Sequence, residues 1–315
     1  MSAEKVSTPT KIIIALGLVY IIWGSTYLGV KIAMHTLPPM LLSALRFLTG
    51  GLILFTFTLL SGNPLPKFEN WRGAAIVGFL LLGVGNSSVA NAIKFMPSGL
   101  VALLVATLPA WTILLDFLFF SRTKPSWISV LGLMLGFGGM AFLLNPFQSN
   151  VSEEIVIFPT LLVIFGSVVW AYASLLSPTF KMPPVVQAVA IQMLAGGSFS
   201  LVISLFTEEN QLSSIQSMTQ ETYLAMTYLI FIGSFIGYSA FSWLINNAPA
   251  QLTATYAYVN PVVAIFLGWL LVDEHLTSRS LIASGIILCG VFLMTLGRNK
   301  QADTKPPEKS ISDEK

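Results

Sequence analysis

Charged residues are scarce in this sequence, and their scarcity defines the class of protein. Of its 315 residues, 10% are Asp, Glu, Lys or Arg, whereas 55% are hydrophobic. A soluble domain carries about 25% charged residues, so most of the surface of this chain must face lipid. The formal net charge is only +2, and the basic residues do not form one patch of the kind that binds nucleic acid. We therefore expect an integral membrane protein with no nucleic-acid partner.

Cysteine and the common catalytic motifs are also lacking. The one cysteine, Cys289, lies in an apolar run, which excludes a disulfide within the chain and a cysteine-rich metal site. The sequence contains no HExxH pair, no serine elbow, no spaced acidic cluster and no GxxxxGK loop for ATP. These absences argue against an enzyme and against ATP hydrolysis by this chain, and no cofactor or metal is expected.

Long apolar runs are what the sequence does contain. A helix that crosses a bilayer core of about 30 Å needs about 20 apolar residues. Segments of this kind lie at 12–31, 40–60, 73–93, 98–119, 126–144, 157–177, 184–206, 222–244, 250–272 and 279–297. The connections between them are short and hold turn-forming residues. The predicted fold class is an all-α integral membrane protein with ten transmembrane helices.

Lysine and arginine are unequally divided between the two sets of loops. If both termini are cytoplasmic, the cytoplasmic loops and tails hold most of the basic residues, Lys67 and Lys124 among them. The outer loops then hold only Lys31, Lys94 and Arg279. Basic residues close to membrane spans favour the cytoplasmic side. We therefore expect a multi-pass protein of the cell (inner) membrane with both termini in the cytoplasm.

The second half of the chain repeats the first. One constant offset lays helices 3–5 over helices 8–10 without a gap, so that Pro97 falls on Pro249 and Pro109 on Pro261. Chance similarity among apolar helices is the alternative, and an ungapped match through three helices argues against it. Each half holds an odd number of spans, so the two halves enter the membrane in opposite orientations, as in secondary transporters. The expected segments are a cytoplasmic start (1–11), a first repeat (12–144), an outer linker (145–156), a second repeat (157–297) and a disordered cytoplasmic tail (298–315).

Four short motifs carry a resemblance to a known family. They are WGSTY at 23–27, PP at 38–39 followed by RF at 46–47, PSG at 97–99, and YAYVNPVVA at 256–264. Together they resemble the EamA-type exporters of the drug/metabolite transporter superfamily, over roughly residues 11–297. The resemblance implies a carrier built from two EamA repeats that exports amino acids or other small metabolites, generally from bacterial cells.

The resulting hypothesis is a secondary active transporter that exports small organic metabolites, foremost amino acids or related compounds, by alternating access. The alternatives are an intramembrane enzyme acting on lipid and a membrane sensor or scaffold that transports nothing. A scaffold would not need two inverted repeats with helix breaks at matched positions. The expected partners are a small-molecule substrate and the lipid bilayer. The GxxxG spacings at 132–136 and 233–237 predict helix contacts, either within the chain or in a homodimer.

The ninth predicted helix supplies the main candidates for a substrate site. Pro261 has no N–H to donate to the carbonyl four residues before it, so we expect a helix break there, with Pro109 as its gating counterpart on helix 4. Tyr256 and Asn260 are one turn apart and share a face, whereas Tyr258 points about 200° away from Tyr256. We expect Tyr256 and Asn260 to bind substrate and Tyr258 to pack against other helices.

Helices 1, 3 and 6 supply the other candidates for substrate binding. Trp23 and Tyr27 are four residues apart on one face of helix 1, with Ser25 between them. Asn86 brings an amide into helix 3, and Trp170 brings an indole into the middle of helix 6. The alternative for these residues is ordinary packing between helices.

Two charged residues lie inside predicted spans. Arg46 is about 9 Å inside the outer end of helix 2, where we expect a gating or structural role at the outer mouth rather than direct substrate binding. Asp116 lies near the cytoplasmic end of helix 4. Its carboxyl group either carries a coupling proton or pairs with Arg122 or Lys124 at the interface.

Overall fold

The computed structural model describes residues 8–92, 95, 101, 104–144, 157–272 and 278–303, and the regular structure in these residues is entirely helical. The helices are α1 (Thr8–Ala33), α2 (Pro39–Leu60), α3 (Phe68–Ala92), α4 (Leu108–Phe120), α5 (Trp127–Leu144), α6 (Ile157–Thr179), α7 (Val185–Thr207), α8 (Gln220–Asn247), α9 (Tyr256–Val272) and α10 (Ser278–Asp303), with short helices at Gln211–Gln216 and Ala250–Thr253.

Six helices in the described residues are long and apolar enough to cross a membrane, namely α1, α2, α3, α6, α7 and α8. Shorter apolar helices lie within α4, α5 and α10. The structure is thus a helical membrane bundle, but helix length alone does not establish the ten predicted spans. One reason is that two of the predicted spans are interrupted, at residues 106–107 before α4 and at residues 254–255 before α9.

Two glycine-containing helices widen into π-helix at corresponding places in the two halves. In α3 the widened segment is Phe79–Asn86, and in α8 it is Leu229–Tyr238. The hydroxyl of Ser234 donates to the carbonyl oxygen of Leu229, five residues earlier, at 3.0 Å. Segments of π-helix are frequent at functional sites, and the sequence periodicity did not predict either one.

Glycines allow the closest helix contacts. The most extensive packing joins α2 to α7 and α5 to α10. A Cβ added at Gly51 of α2 would lie 2.9 Å from Leu194 Cγ, and one added at Gly197 of α7 would lie 2.8 Å from the backbone nitrogen of Leu48. In the other pair, a Cβ at Gly132 would lie 2.6 Å from the carbonyl oxygen of Gly290. These contacts leave no room for a side chain.

Both GxxxG faces are occupied by helices of the same chain. Gly132 and Gly136 approach Gly290 of α10. Gly233 and Gly237 of α8 approach α1, where added Cβ atoms would lie 3.0 Å from Thr26 Cγ2 and 2.9 Å from Trp23 Nε1, respectively. Both GxxxG faces therefore form helix contacts within the chain.

A buried carboxylate joins the end of α7 to the start of α2. Glu208 is 7% exposed, and its two carboxylate oxygens accept hydrogen bonds from the backbone N–H groups of Met40 and Leu41, each at 2.9 Å. Ser204 Oγ also donates to Glu208 Oε2, at 2.8 Å. The first N–H groups of a helix have no partner within it, so this carboxylate caps α2. Its negative charge also interacts favourably with the positive end of the helix dipole.

Glu208→Ala should therefore destabilise the bundle. We expect a loss of about 2 kcal/mol, because the variant leaves two buried N–H groups of α2 without an acceptor. Thermal unfolding of the purified protein in detergent measures the loss as a lower midpoint. Glu209→Ala is the matched control, since Glu209 is the exposed neighbour. Equal midpoints for the two variants would contradict the cap.

Candidate functional site

A cavity of about 210 Å³ lies inside the bundle. Residues of α1, α2, α3, α4, α6, α8 and α9 line it. It extends from Trp170, in the middle of α6, and Tyr256, at the start of α9, to Met34 and Pro39, which lie at the connection between α1 and α2. Most of the wall is apolar, and the residues that bring polar groups to it are Trp23, Thr26, Ser43, Arg46, Asn86, Ser167, Trp170, Tyr238, Tyr256 and Asn260.

Four aromatic side chains at the inner end of the cavity form what we call the aromatic layer: Trp23, Trp170, Phe241 and Tyr256. The ring of Trp23 has its centroid 4.9 Å from that of Phe241, 5.0 Å from Tyr256 and 6.0 Å from Trp170. Phe241 in turn lies 5.6 Å from both Trp170 and Tyr256. These rings meet edge-on or tilted, which are arrangements that aromatic pairs favour.

The aromatic layer separates the cavity from a much smaller pocket. This pocket, of about 10 Å³, is lined by residues further along the same helices, such as Thr112 of α4 and Ser174 of α6. Leu108, Trp170 and Tyr256 line both the pocket and the cavity. Because the same side chains face both spaces, the wall between them is one side chain thick. A path through the bundle is therefore closed at this level.

Each half of the chain has a helix break beside this wall, and a threonine stabilises each break. The hydroxyls of Thr107 and Thr255 both donate to the carbonyl oxygen three residues earlier, at 2.6 Å. Each hydroxyl also meets an aromatic side chain. Trp111 Nε1 donates to Thr107 Oγ1 at 3.0 Å, and the hydroxyl of Tyr20 lies 2.5 Å from Thr255 Oγ1. Polar groups at a break in a membrane helix need such partners.

The prediction of a break at Pro261 is wrong. Pro261 lies inside α9, and the interruption falls at residues 254–255, before the helix begins. Because α9 starts afresh at Tyr256, the proline removes a single backbone bond near the start of the helix, and the helix continues. Pro109 stands at the start of α4, where a proline costs little. Neither proline is among the described residues that line the cavity.

The tyrosines of α9 point to different surroundings. Tyr256 and Asn260 line the cavity. Tyr258 is 0% exposed and packs against α5, where a Cβ added at Gly136 would lie 2.8 Å from its Cε2 atom. The two faces of α9 therefore separate as the helical period predicts.

Four polar atoms of the cavity residues are buried without a hydrogen-bond partner in the described structure: Ser167 Oγ, Trp170 Nε1, Tyr238 OH and Asn260 Oδ1. Elsewhere in the described residues this holds for the amide of Gln192 and the hydroxyl of Tyr258. A buried polar group without a partner costs about 1–3 kcal/mol. Their concentration around one cavity is what a site for a polar solute requires.

Arg46 of α2 is the one charged residue in the described cavity lining. Its Nε donates to Ser234 Oγ at 2.8 Å, and its guanidinium carbon lies 5.1 Å from the ring centroid of Phe47. Gly233 leaves space for the guanidinium, because an added Cβ there would lie 2.9 Å from one terminal nitrogen. No carboxylate of the described residues forms an ion pair with Arg46.

Asn86 lies on the cavity wall, whereas Ser25 lies away from it. Asn86 lines the cavity, and its Nδ2 donates to Ser43 Oγ at 3.2 Å, which joins α3 to α2. Ser25 does not line the cavity in the described structure: its hydroxyl donates to the carbonyl oxygen of Ile22 at 2.7 Å and pairs with the hydroxyl of Tyr228. The side chain of Tyr27 lies outside the described part of the chain.

Asp116 lies away from the cavity, at the end of α4. Its carboxylate accepts hydrogen bonds from Ser121, at 3.3 Å from the backbone nitrogen and at 2.9 Å from Oγ. Its hydrogen-bond partner is thus a nearby serine. Asp116 is not among the described residues that line the cavity.

Sequence reasoning missed Phe241, which is 1% exposed and closes the aromatic layer. A phenylalanine in an apolar span carries no signal that separates a cavity wall from ordinary packing. Ser43 and Ser167 were missed for a similar reason, since small hydroxyl residues are common where helices pack closely.

Comparisons with known proteins give a consistent result. The sequence profile of the EamA-like transporter family matches residues 10–145 and again residues 157–296. The chain is 37% identical over 286 residues to the uncharacterized inner membrane transporter YedA of Escherichia coli strain K12, covering 90% of each chain. It is 25% identical to a probable amino-acid metabolite efflux pump of the same strain, covering 89% of this chain and 93% of that one.

Another relative and a solved structure also match most of the chain. The uncharacterized transporter YoaV of Bacillus subtilis strain 168 is 26% identical, with coverage of 90% of this chain and 97% of its own. A protein of known crystal structure, 20% identical, superposes with a TM-score of 0.76 over 91% of this chain and 97% of that chain. The latter similarity concerns the fold alone.

Cysteine substitution tests which face of α9 meets the cavity. In a Cys289→Ala background, Asn260→Cys should react with a water-soluble thiol reagent about tenfold faster than Tyr258→Cys, because reaction requires an accessible thiolate. The rates are measured on the purified protein in lipid nanodiscs. Faster labelling at position 258 than at position 260 would show that the opposite face of α9 meets the water-accessible space.

Proposed function

Because the chain belongs to the EamA-like transporter family, we propose that it is a secondary active transporter that exports small organic metabolites, foremost amino acids or related compounds, by alternating access. The observation that carries the proposal is the cavity that reaches the middle of the bundle and ends at the aromatic layer. The name of one relative, a probable amino-acid metabolite efflux pump, supports the substrate class. The names of the family and its relatives favour a transporter over an enzyme.

The proposed topology has ten membrane crossings, in two inverted repeats at 12–144 and 157–297, with both termini in the cytoplasm. Each of the helices α1 to α10 overlaps one of the ten segments predicted from the sequence. In this orientation the cavity extends towards the outer face, and the small pocket beyond the aromatic layer lies on the cytoplasmic side. The conformation described here then corresponds to an outward-facing state, and export requires the layer to open towards the cytoplasm.

The proposed substrate contacts come from both halves of the chain. Trp23 and Asn86 would contact the solute from the first half, and Trp170, Tyr256 and Asn260 from the second. Their shared position on the cavity wall supports this assignment. Ser25 is left out because its hydroxyl holds α1 to α8 through Tyr228.

Gating and coupling residues form a separate part of the proposal. The helix breaks before α4 and α9 are the hinges, with Pro109 and Pro261 limiting how far each helix can straighten. Asp116 is the candidate for proton coupling, and its contact with Ser121 supports the alternative of a structural charge at the interface.

Counterflow in proteoliposomes tests the transport function. The purified full chain is reconstituted, loaded with an unlabelled amino acid and supplied with the same labelled compound outside, over a panel of amino acids. We expect Ala90→Trp to lower counterflow about tenfold or more, because the indole would fill the cavity. Phe79→Trp is the matched control on the same helix, since Phe79 is 40% exposed away from the cavity.

Absence of counterflow for the whole panel, or equal counterflow in the two tryptophan variants, would contradict transport through this cavity.

Proton coupling is tested at Asp116. The variant Asp116→Asn should abolish uphill transport and keep exchange if the carboxyl group carries protons. Survival of both activities would leave Asp116 with a structural role.

A further inference from the structure

The charge of Arg46 is not balanced by any described residue of the cavity. Its partners are neutral, namely the hydroxyl of Ser234 and the ring of Phe47. An arginine stays charged in a protein, and a buried charge without an opposite partner is costly by several kcal/mol. A negative group bound in the cavity would supply the missing partner.

The surroundings of Arg46 also fix the direction of its free hydrogen-bond donors. The Ser234 hydroxyl donates to the carbonyl oxygen of Leu229 and accepts from Arg46 Nε, so it fixes the Nε side of the guanidinium. The two terminal nitrogens make no hydrogen bond within the described structure, and one of them packs against Gly233, where an added Cβ would lie 2.9 Å away. Two parallel N–H donors match the two oxygens of a carboxylate.

Asn260 lines the same cavity from another helix, and its side-chain oxygen is a hydrogen-bond acceptor. Asn260 Oδ1 is buried and has no partner among the described residues. It comes from α9, whereas Arg46 comes from α2. With no carboxylate in the described lining, this neutral oxygen is suited to accept from an ammonium group or another N–H donor.

We propose that Arg46 binds the carboxylate of the transported solute and that Asn260 Oδ1 accepts a hydrogen bond from its ammonium group. The rest of the lining, with Leu42, Leu82 and Val89, then surrounds the apolar part of the solute. The volume of about 210 Å³ is below the range of about 300–1,000 Å³ of sites for drug-sized ligands. The cavity thus selects small amphoteric solutes, and this assignment rests on the proposed transport function.

This assignment changes the role expected for Arg46 from the sequence. From the depth of Arg46 in helix 2 we expected a gating or structural role at the outer mouth rather than direct substrate binding. The structure instead turns its guanidinium along the cavity wall, held by a residue of α8. Arg46 then contacts the solute, and Ser234 is a positioning residue that acts through it.

Three probes with one apolar skeleton separate the two polar contacts. L-Leucine carries both charged groups, L-leucinamide lacks the carboxylate, and 4-methylpentanoate lacks the ammonium group. Their affinities are measured at pH 7 by titrating the intrinsic tryptophan fluorescence of the full chain in lipid nanodiscs, because Trp23 and Trp170 line the cavity. We expect L-leucine to bind about tenfold more tightly than either analogue.

Variants then assign each preference to a residue. Arg46→Gln should weaken L-leucine about tenfold and leave L-leucinamide within about twofold, because only the former loses a charged partner. Asn260→Leu should weaken L-leucine and leave 4-methylpentanoate unchanged. Arg279→Gln is the matched control: Arg279 also lies near a phenylalanine ring, at 5.3 Å from Phe142, but does not line the cavity. It should leave all three affinities unchanged.

Several results would overturn the proposal. They are an equal loss of L-leucine and L-leucinamide binding in Arg46→Gln, equal affinities of the three probes for the unmodified protein, and no binding of L-leucine. Displacement of 4-methylpentanoate by equal concentrations of inorganic phosphate would also overturn it, since it would reveal a general anion site. Binding does not require transport, so the two proposals can fail separately. Carboxylate selectivity without counterflow would contradict the proposed function and would make Arg46 the contact of a bound solute that is not transported.

Discussion

Polar groups inside a lipid bilayer meet no water, so the protein itself must satisfy them. Most backbone groups of this chain do so within helices. Where helices stop beside the aromatic layer, Thr107 and Thr255 bond the free carbonyl oxygens, and where α2 begins, Glu208 accepts from its first N–H groups. Apart from the Gln192 amide and the Tyr258 hydroxyl, the buried side-chain atoms without a partner in the described residues belong to residues that line the cavity. The cavity is therefore the place where a polar solute can supply the missing partners.

Helix packing divides the bundle into parts that are held rigidly and parts whose conformation can change. Glycine contacts hold α2 against α7 and α5 against α10 at distances that admit no side chain, and such interfaces do not slide easily. The irregular segments lie elsewhere. The π-helical segments of α3 and α8 and the breaks before α4 and α9 all lie beside the cavity, and backbone irregularities of this kind absorb the changes of a hinge.

Composition and periodicity were sufficient to predict a helical membrane protein, and the family follows from motifs spread along the chain. Periodicity also separated Tyr256 and Asn260 from Tyr258, because side-chain direction on a regular helix depends only on spacing. The position of the break was not predictable from Pro261, because a proline near a helix start removes one bond without ending the helix. Phe241 and Glu208 were missed because their roles depend on partners distant in sequence: the rings of α1, α6 and α9, and the N-terminus of α2.

The central claim is that the aromatic layer is a gate between two spaces that open alternately. Its most direct test uses Ser43→Cys in the cavity and Ser174→Cys in the small pocket, each in a Cys289→Ala background, with a membrane-impermeant thiol reagent applied from one side of the membrane at a time. The account predicts that Ser43→Cys reacts from outside and Ser174→Cys from the cytoplasmic side, and that adding L-leucine raises one rate while it lowers the other. Simultaneous reaction of both cysteines from the same side would contradict it, because that result describes an open channel.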